Sequence, residues 1–510
     1  MMDTFTHLGT GLLIALTPVN LVYTLIGVFV GTAVGVLPGL GPAATVAILL
    51  PITYKIDPAS GVMMLAGIYY GAMYGGATTA ILLNIPGEPS SVVTCFDGHK
   101  MARQGRAGVA LGTAALSSFS GGTVSLLGLT LVAPSLATFA LKFGYAEYTS
   151  LVIMGLVLSI YLSKGSILKG LLACALGALL ATVGVDPIFG VERFTFGLLP
   201  LTDGIDFVVV AMGLFGISEV LCNLSLSEGD SIFKTTKTAL RDLLPSRDDW
   251  RRIGCPIARG SIIGFFIGIL PGGGAIISTF VSYVVEKRIS KEPERFGNGA
   301  IEGLAGPEAS SNASSTASFI PLLTLGIPGN ATMAMIFVAL MIHGVRPGPL
   351  MLQDHPGVFW GLVGSMYVGN MMLLCLNLPL VGMWVRFLKV PYHYIAAAVL
   401  VICSIGAYTV KNNVFDVGMM IVFGVIGFLM KKGGVPPAPL LLSMILVPIL
   451  ERSANQALTT SGGDLTIFLT RPISAVMLLV AAFMLFSPLF RWFLTWSRAS
   501  KAGTPPPVGS

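Results

Sequence analysis

The sequence predicts an all-α polytopic membrane protein, with about 10–12 transmembrane segments in two inverted-topology repeats. Of its 510 residues, 54% are hydrophobic and only 11% are charged, whereas about a quarter of the residues in a soluble domain are charged. Apolar runs long enough to cross a bilayer follow one another along most of the chain. Proline–glycine clusters interrupt these runs in two matched pairs, which predicts re-entrant or broken helices.

The charged residues and cysteines exclude several other classes of protein. The net charge of +6 comes from short basic clusters between apolar runs, a pattern typical of membrane orientation and not of nucleic-acid binding. The six cysteines occur singly and form no CxxC pair, so we interpret them as small apolar residues and predict no metal and no cofactor. The N-terminus has no basic segment before its first apolar run, so we expect no cleaved signal peptide.

The first matched break is Gly35-Val-Leu-Pro-Gly-Leu-Gly-Pro42. Proline lacks an amide donor and glycine lacks a Cβ, so such a cluster ends a helix. The apolar stretch around it, residues 21–54, is too long for one span of about 20 residues and too short for two. We therefore expect a re-entrant hairpin or a strongly tilted broken helix.

The second break of the first half follows a run rich in small residues, 60–83, which favours close helix packing. It reads Asn84-Ile-Pro-Gly-Glu-Pro-Ser-Ser91. Four plausible spans come next, at 108–134, 145–163, 166–184 and 205–225. The following polar segment carries seven basic residues between 234 and 259, and part of it, 235–250, predicts an amphipathic surface helix.

Both breaks recur in the second half of the chain. Gly268-Ile-Leu-Pro-Gly-Gly-Gly274 places Pro271 233 residues after Pro38, and Gly326-Ile-Pro-Gly329 matches the Asn84 break. Further spans are expected near 333–344, 357–385, 393–410, 414–430, 435–450 and 466–490. The predicted organisation is an N-terminal membrane repeat (1–222), a cytoplasmic amphipathic connector (223–259), a C-terminal membrane repeat (260–490) and a disordered cytoplasmic tail (491–510).

The basic residues predict opposite orientations for the two repeats. In the first half only Lys55 follows the hairpin, whereas Lys100, Arg103 and Arg106 follow the second break. In the second half the order reverses, because only Arg346 follows the second break, and four basic residues follow the hairpin: Lys287, Arg288, Lys291 and Arg295. Basic loops stay in the cytoplasm, so the repeats should be inverted.

These motifs resemble a known family, the large membrane subunit of the tripartite tricarboxylate transporters (TctA). The resemblance covers essentially the whole chain and includes Tyr74-Gly-Gly-Ala-Thr-Thr-Ala-Ile-Leu-Leu-Asn-Ile-Pro-Gly87 and Pro321-Leu-Leu-Thr-Leu-Gly-Ile-Pro-Gly329 besides the two hairpin motifs. It implies a bacterial inner-membrane importer of organic acids. It also implies two partners, a small TctB-like membrane subunit and a periplasmic TctC-like binding protein, with an ion gradient as the energy source. The chain has no GxxxxGK[ST] motif of its own.

The breaks predict the substrate site, because Lys and Arg are nearly absent from the apolar runs and helix N-termini must then hold an anion. Unwound carbonyls and nearby polar side chains could hold a coupling ion, Na⁺ or H⁺. The expected substrate-binding residues are Pro38, Gly39, Gly41, Thr45, Pro86, Gly87, Ser90, Ser91, Pro271, Gly272, Gly273, Ser278, Thr279, Pro328, Gly329, Asn330 and Thr332. The expected cation ligands are Thr78, Thr79, Asn84, Asn312 and Ser315.

Two other functions remain open from the sequence. A passive anion channel would use the same polar breaks, although inverted repeats favour alternating access. An intramembrane enzyme would need a nucleophile–base or metal pair at membrane depth. No histidine lies clearly inside a span, so we predict that the chain is not an enzyme.

Overall fold

A computed structural model describes residues 2–37, 41–161, 166–186, 190–224, 243–270, 274–387 and 392–486. In the first half the helices are α1 (Met2–Ala15), α2 (Pro18–Val36), α3 (Pro42–Leu49), α4 (Pro58–Leu83), α5 (Val92–Met101), α6 (Ala107–Ala140), α7 (Tyr145–Tyr161), α8 (Ile167–Ala181), α9 (Leu199–Thr202) and α10 (Phe207–Leu224). In the second half they are α11 (Arg247–Ile269), α12 (Gly274–Ile289), α13 (Ile301–Ala317), α14 (Phe319–Leu325), α15 (Ala331–Ile342), α16 (Met351–Asp354), α17 (Pro356–Asn377), α18 (Val381–Phe387), α19 (Tyr392–Lys411), α20 (Val414–Lys432), α21 (Pro437–Thr460), α22 (Ile467–Thr470) and α23 (Pro472–Phe486).

Short segments complete the described backbone. Two strands, β1 (Gly184–Val185) and β2 (Glu192–Arg193), pair antiparallel with Gly184 opposite Arg193. Short 3₁₀ helices span Leu50–Lys55, Pro89–Ser91 and Pro293–Arg295. Short π-helical segments span Ala102–Arg106 and Met212–Ile217. Eight helical stretches among the described residues are long and apolar enough to cross a membrane, and five shorter ones are also apolar. The predicted all-α polytopic fold is confirmed.

The helices on either side of the first break, α2 and α3, form a hairpin. A Cβ on Gly27 would lie 2.2 Å from the carbonyl oxygen of Met64, and a Cβ on Gly31 would lie 2.4 Å from that of Ile68. Contacts between α2 and α4 therefore advance in the same direction along both helices, so the two are parallel. Because α3 connects them, it must carry the chain back. The sequence left a tilted broken helix open, and the parallel packing favours the re-entrant hairpin.

The second half repeats this packing. A Cβ on Gly260 or Gly264 of α11 would lie 2.2 Å from the carbonyl oxygen of Gly306 or Ser310 of α13. Thus α11 and α13 are also parallel, and α12 returns between them. Gly260 and Gly264 follow Gly27 and Gly31 by 233 residues, the same spacing as the two hairpin prolines. Only glycine permits backbones to approach this closely.

The two helix pairs run in opposite directions. Along α4, Tyr69 packs against Phe319 with ring centroids 6.2 Å apart, and Met73 Sδ lies 4.0 Å from Ser311 Oγ. Near the end of α4, a Cβ on Gly98 of α5 would lie 2.9 Å from Ile81 Cγ1 and 3.3 Å from Leu304 Cδ1, which places Ile81 and Leu304 on either side of the same glycine. Residue numbers rise along α4 while they fall along its partner, so α4 is antiparallel to α13 and α14. This is the direction that the distribution of basic residues predicts.

Equivalent helix ends form the second pair of breaks. Asn84 ends α4 with φ +59°, and Gly326 ends α14 with φ +70°. This left-handed conformation is easiest for glycine and, among other residues, for asparagine. After each end, an extended residue caps the next helix: Glu88 accepts the amide of Ser90, and Asn330 accepts that of Met333. Local sequence thus sets both breaks.

Four polar loops meet in pairs at opposite ends of the bundle. At one end, Gln104 Nε2 donates to the carbonyl oxygen of Asn298 at 3.0 Å, and Arg106 pairs with Asp249 at 2.7 Å. At the other end, a Cβ on Gly61 would lie 3.3 Å from Thr53 and 3.2 Å from His343. The basic loops of both halves therefore share one end.

The predicted connector is only partly described. Helix α11 begins at Arg247, where Ser246 and Asp249 form a capping box, so the predicted boundary at residue 259 falls inside this helix. The first half of the predicted surface helix 235–250, residues 235–242, lies outside the described residues, as does the predicted tail, 491–510.

Candidate functional site

The four breaks meet at one cavity of about 580 Å³. Its lining includes one segment from each break: 41–44, 86–89, 274–277 and 329–332. The first and third segments start the returning helices of the two hairpins. The second and fourth follow the left-handed ends of α4 and α14. The antiparallel repeats thus contribute matching pieces to the same space.

Helix N-termini give this cavity its electrostatic character. Helices α3, α12 and α15 begin at Pro42, Gly274 and Ala331, which all line the cavity. The first-turn amides of a helix have no partner within that helix, and its N-terminus carries about half a positive charge. Gly41 caps α3 without a side-chain hydrogen bond, so this terminus in particular can receive an external acceptor. The arrangement favours an anionic group in the cavity.

Charged side chains also line the cavity. Among the described lining residues Lys431 is the basic one, and Glu88 and Glu219 are the acidic ones. Lys431 at the end of α20 forms an ion pair with Glu219 on α10, and both side chains are about one-quarter exposed. Glu88 is buried at the cap of the second break. Tyr69, Met73 and Phe215 contribute apolar surface.

Some predicted substrate residues line the cavity: Gly41, Pro86, Gly87, Gly329, Asn330 and Thr332. Asn330 is held in place there, because its Nδ2 donates to Tyr69 Oη at 3.2 Å. Five further predicted residues lie outside the described residues: Pro38, Gly39, Pro271, Gly272 and Gly273. Of the described residues that flank these five, Gly41 and Gly274 line the cavity, whereas Leu37 and Leu270 do not.

The predicted hydroxyl groups mostly bond to their own helices. Thr45 Oγ1 donates to the carbonyl oxygen of Gly41, Ser278 Oγ to that of Ala275, and Thr279 Oγ1 to that of Ile276. Such bonds to the preceding turn are the usual use of Ser and Thr in helices. These three side chains do not line the cavity, so the structure places them in helix packing.

The three remaining predicted substrate-binding residues are buried next to residues that line the cavity. Ser91 Oγ donates to the carbonyl oxygen of Glu88 at 2.7 Å, and Pro328 is buried next to the wall. Ser90 bonds to the Glu88 carboxylate and lies 2.6 Å from Ser311 Oγ across the repeat interface. These residues shape the wall without facing the cavity.

The structure does not bring the predicted cation ligands together. Thr79 Oγ1 donates to the Val36 carbonyl oxygen at 2.6 Å and joins α4 to the end of α2. Asn84 is exposed, Thr78 is buried in α4, and Ser315 donates to its own helix. Asn312 instead reaches Ser118 on α6. Thr79 and Ser315 thus use their hydroxyl hydrogens on backbone carbonyls, one in a neighbouring helix and one in its own.

Sequence reasoning missed Lys431 and Glu219 as cavity residues. Lys431 reads as a cytoplasmic marker next to Lys432, and Glu219 reads as a structural residue near a helix end. The sequence offered one indication of this pair: two residues of opposite charge, each at the end of an apolar run. Nothing local indicates that α10 and α20 bring them together.

Comparisons with known proteins agree with the predicted resemblance. The family model described as "Tripartite tricarboxylate transporter TctA family" matches residues 21–442. An uncharacterised 52.8 kDa protein of Agrobacterium vitis, named for the 3′ region of TAR-I ttuC′, is 51% identical over 480 residues, which cover 94% of this chain and 95% of the relative. A second A. vitis protein, named for the TAR-II ttuC′ 3′ region, is 48% identical over 215 residues, 42% of this chain and 89% of the relative.

No solved structure matches the chain significantly. The family model alone spans most of the sequence, and one relative matches nearly end to end. The family consists of transporters and not of enzymes, which confirms the non-enzymatic prediction. The chain is a multi-pass membrane protein that belongs to the TctA family, the large subunit of tripartite tricarboxylate transporters.

Proposed function

We propose that this chain is the permease of a bacterial inner-membrane importer that carries a di- or tricarboxylate through the cavity at the four breaks. A periplasmic TctC-like protein delivers the substrate, a TctB-like subunit completes the membrane complex, and a cation gradient drives uptake. One observation carries the proposal: helix breaks from two antiparallel repeats meet at one cavity. Backbone that is unwound at membrane depth is tolerated where it lines such a cavity.

The cavity suits a small organic anion. Its volume of about 580 Å³ falls within the range of about 300–1,000 Å³ that is typical of small-molecule sites. The N-termini of α3, α12 and α15 supply amide donors for carboxylate oxygens. Lys431 supplies a full positive charge once a substrate carboxylate replaces Glu219 as its partner.

The antiparallel repeats support alternating access as the transport mechanism. Each repeat contributes a hairpin and a second break to the same cavity, so rocking one repeat against the other exposes the site to each side in turn. Uptake should then depend on a Na⁺ or H⁺ gradient and not on ATP. Transport faster than carrier turnover, driven by voltage alone, would instead indicate a passive anion channel.

The test uses cells that express all three subunits and measures uptake of labelled di- and tricarboxylates. We expect Gly41→Leu to abolish uptake, because a side chain here enters the cavity and a Cβ meets no atom within 4 Å. The control is Gly418→Leu on the exposed face of α20, where a Cβ also meets nothing. Normal uptake by Gly41→Leu, at normal membrane expression, would contradict the site. Uptake that survives ionophores but fails on ATP depletion would contradict the energy source.

A further inference from the structure

A second, much smaller cavity lies between α4, α6, α13 and α17. Its volume is about 10 Å³, enough for one water molecule or one small ion. It lies apart from the larger cavity, and the two share no lining residue. Five of its lining side chains carry oxygen: Tyr70, Tyr74, Asn312, Thr316 and Asn370.

Asn312, which lines this cavity, has an unbonded side-chain oxygen. Its Nδ2 donates to Ser118 Oγ at 2.8 Å and to the Glu308 carbonyl oxygen at 3.2 Å. A carbonyl oxygen requires a donor, so the nitrogen must face Glu308 and the amide oxygen must face away. Asn312 is only 2% exposed, and its Oδ1 has no hydrogen-bond partner among the described residues. Such a buried, unpaired acceptor is unfavourable by about 1–3 kcal/mol unless something binds it.

The other walls also present oxygen lone pairs. Tyr74 donates its hydroxyl hydrogen to Asn370 Oδ1 at 2.6 Å, and Asn370 Nδ2 donates to Phe119 O and Thr123 Oγ1. Tyr70 Oη makes no hydrogen bond of standard geometry among the described residues, and the Ser365 side chain is its polar neighbour. Because most nearby hydrogens are already donated elsewhere, the cavity offers mainly acceptors, which suits a hard cation.

A buried carboxylate supplies negative charge one helical turn away. Glu308 is 3% exposed, accepts hydrogen bonds from Thr94 and Ser118, and forms no ion pair with a described basic residue. Ser118 contacts both Glu308 and Asn312. An ionised carboxylate in this environment is unfavourable unless a cation compensates it.

We propose that the small cavity binds one dehydrated Na⁺ ion, with Asn312 Oδ1, Tyr70 Oη, Thr316 Oγ1 and Asn370 Oδ1 as ligands and Glu308 as the compensating charge. Its role as coupling ion rests on the proposed transport function. Tyr70 lies on α4 and Asn312 on α13, so the ion joins helices of the two antiparallel repeats. Na⁺ binding would therefore stabilise one arrangement of the repeats.

The test measures thermal unfolding of the purified full-length chain in NaCl and in choline chloride at equal ionic strength. Na⁺ should raise the unfolding midpoint of the unmodified chain in a saturable manner. We expect Asn312→Ala to weaken the apparent Na⁺ affinity at least about tenfold, as loss of a supporting group typically does at metal sites. Tyr70→Phe removes only one oxygen and should also weaken the apparent Na⁺ affinity. This second variant keeps the test usable if Asn312→Ala does not fold.

Asn377→Ala is the matched control. Asn377 is also buried and also donates Nδ2 to the carbonyl four residues earlier, at 3.0 Å. Its Oδ1 is likewise unpaired among the described residues, but it does not line the cavity. The Na⁺-dependent shift should persist in this variant. An equal loss in both variants would overturn the proposal.

Two further outcomes separate this proposal from the transport function. A midpoint that responds to pH but not to Na⁺ would mean that the cavity holds water and Glu308 takes a proton, which overturns the Na⁺ site. The Na⁺ site would also be overturned if the complex takes up organic acid but Na⁺ does not raise the unfolding midpoint above its value in choline chloride. Saturable Na⁺ binding that requires Asn312, in a complex that carries no organic acid, would support the site while contradicting the proposed transport function.

Discussion

Lys431 is the residue whose role changes most between sequence and structure. It stands at the end of an apolar run, where a basic residue usually marks the cytoplasmic side. In the structure it lines the large cavity and pairs with Glu219. Each side chain of this pair compensates the charge of the other. In the proposed transport function, a substrate carboxylate competes with Glu219 for Lys431.

The prediction is that Lys431→Ala raises KM for organic-acid uptake by about 10–100-fold. A hydrogen bond to a charged group is worth about 1.5–3 kcal/mol, and each 1.4 kcal/mol corresponds to a factor of ten. The measurement is the concentration dependence of uptake. Lys432→Ala is the control, because Lys432 packs over the Phe428 ring at 4.7 Å and does not line the cavity. Equal KM values for both variants and the unmodified chain would contradict the assignment.

At the scale of elements, close glycine contacts set the geometry of both hairpins. A Cβ on Gly264 would lie 2.2 Å from the Ser310 carbonyl oxygen, whereas a Cβ on Gly254 of the same helix would meet nothing within 4 Å. Gly264→Ala should therefore lower the free energy of unfolding by about 1–3 kcal/mol through overpacking. Gly254→Ala should be neutral or slightly stabilising, since alanine favours helix. Thermal midpoints of the two purified variants distinguish these effects, and equal midpoints would count against the packing argument.

Asp97 joins one repeat to the start of a helix in the other. Its Oδ1 accepts the amides of Gly297, Gly299 and Ala300 at 2.8–2.9 Å, and Ala300 is the residue that precedes α13. Its Oδ2 accepts the hydroxyl of Tyr283 at 3.0 Å. The carboxylate on α5 thus supplies the cap that α13 lacks locally.

We expect Asp97→Ala to lower the free energy of unfolding by at least about 2 kcal/mol, because it leaves several buried donors unpaired. Tyr283→Phe removes one of these bonds and should lower it by about 1 kcal/mol. Denaturant unfolding of both variants in detergent provides the comparison. Phe keeps the ring contacts of Tyr283 with Phe96 and Phe296, so a larger loss for Tyr283→Phe than for Asp97→Ala would contradict the role assigned to Asp97.

At the scale of the whole molecule, the antiparallel repeats place matched loops at opposite ends. Gln104 and Asn298 are exposed at one end, and Lys55 and Arg346 are exposed loop residues near the other. In a background without the native cysteines, an impermeant thiol reagent should label Lys55→Cys and Arg346→Cys in intact cells. Gln104→Cys and Asn298→Cys should react only after permeabilisation. Labelling of Gln104→Cys together with Lys55→Cys in intact cells would contradict the inverted arrangement.

Local sequence was sufficient for features that depend on a few neighbouring residues. The Asn84 and Gly326 breaks could be predicted because each combines a residue that tolerates the left-handed conformation with a following Pro-Gly pair, and this local combination ends a helix. The opposite orientation of the repeats could be predicted because basic residues report the cytoplasmic side directly. The roles of the Thr45 and Ser278 hydroxyls were less predictable, because sequence alone does not tell whether a hydroxyl after a helix break bonds to its own helix or to a ligand.

By itself, the sequence determined the membrane class, the family motifs, the two matched pairs of breaks and the pattern of basic loops. The tertiary structure alone decided which groups share a space: Lys431 with Glu219, Asn312 with Ser118, and Tyr70 opposite Asn312. These residues come from helices that are far apart in the chain, so their contacts follow from how the helices pack. Packing in turn depends on glycine contacts such as Gly264 against Ser310, where a single methyl group decides whether two helices meet.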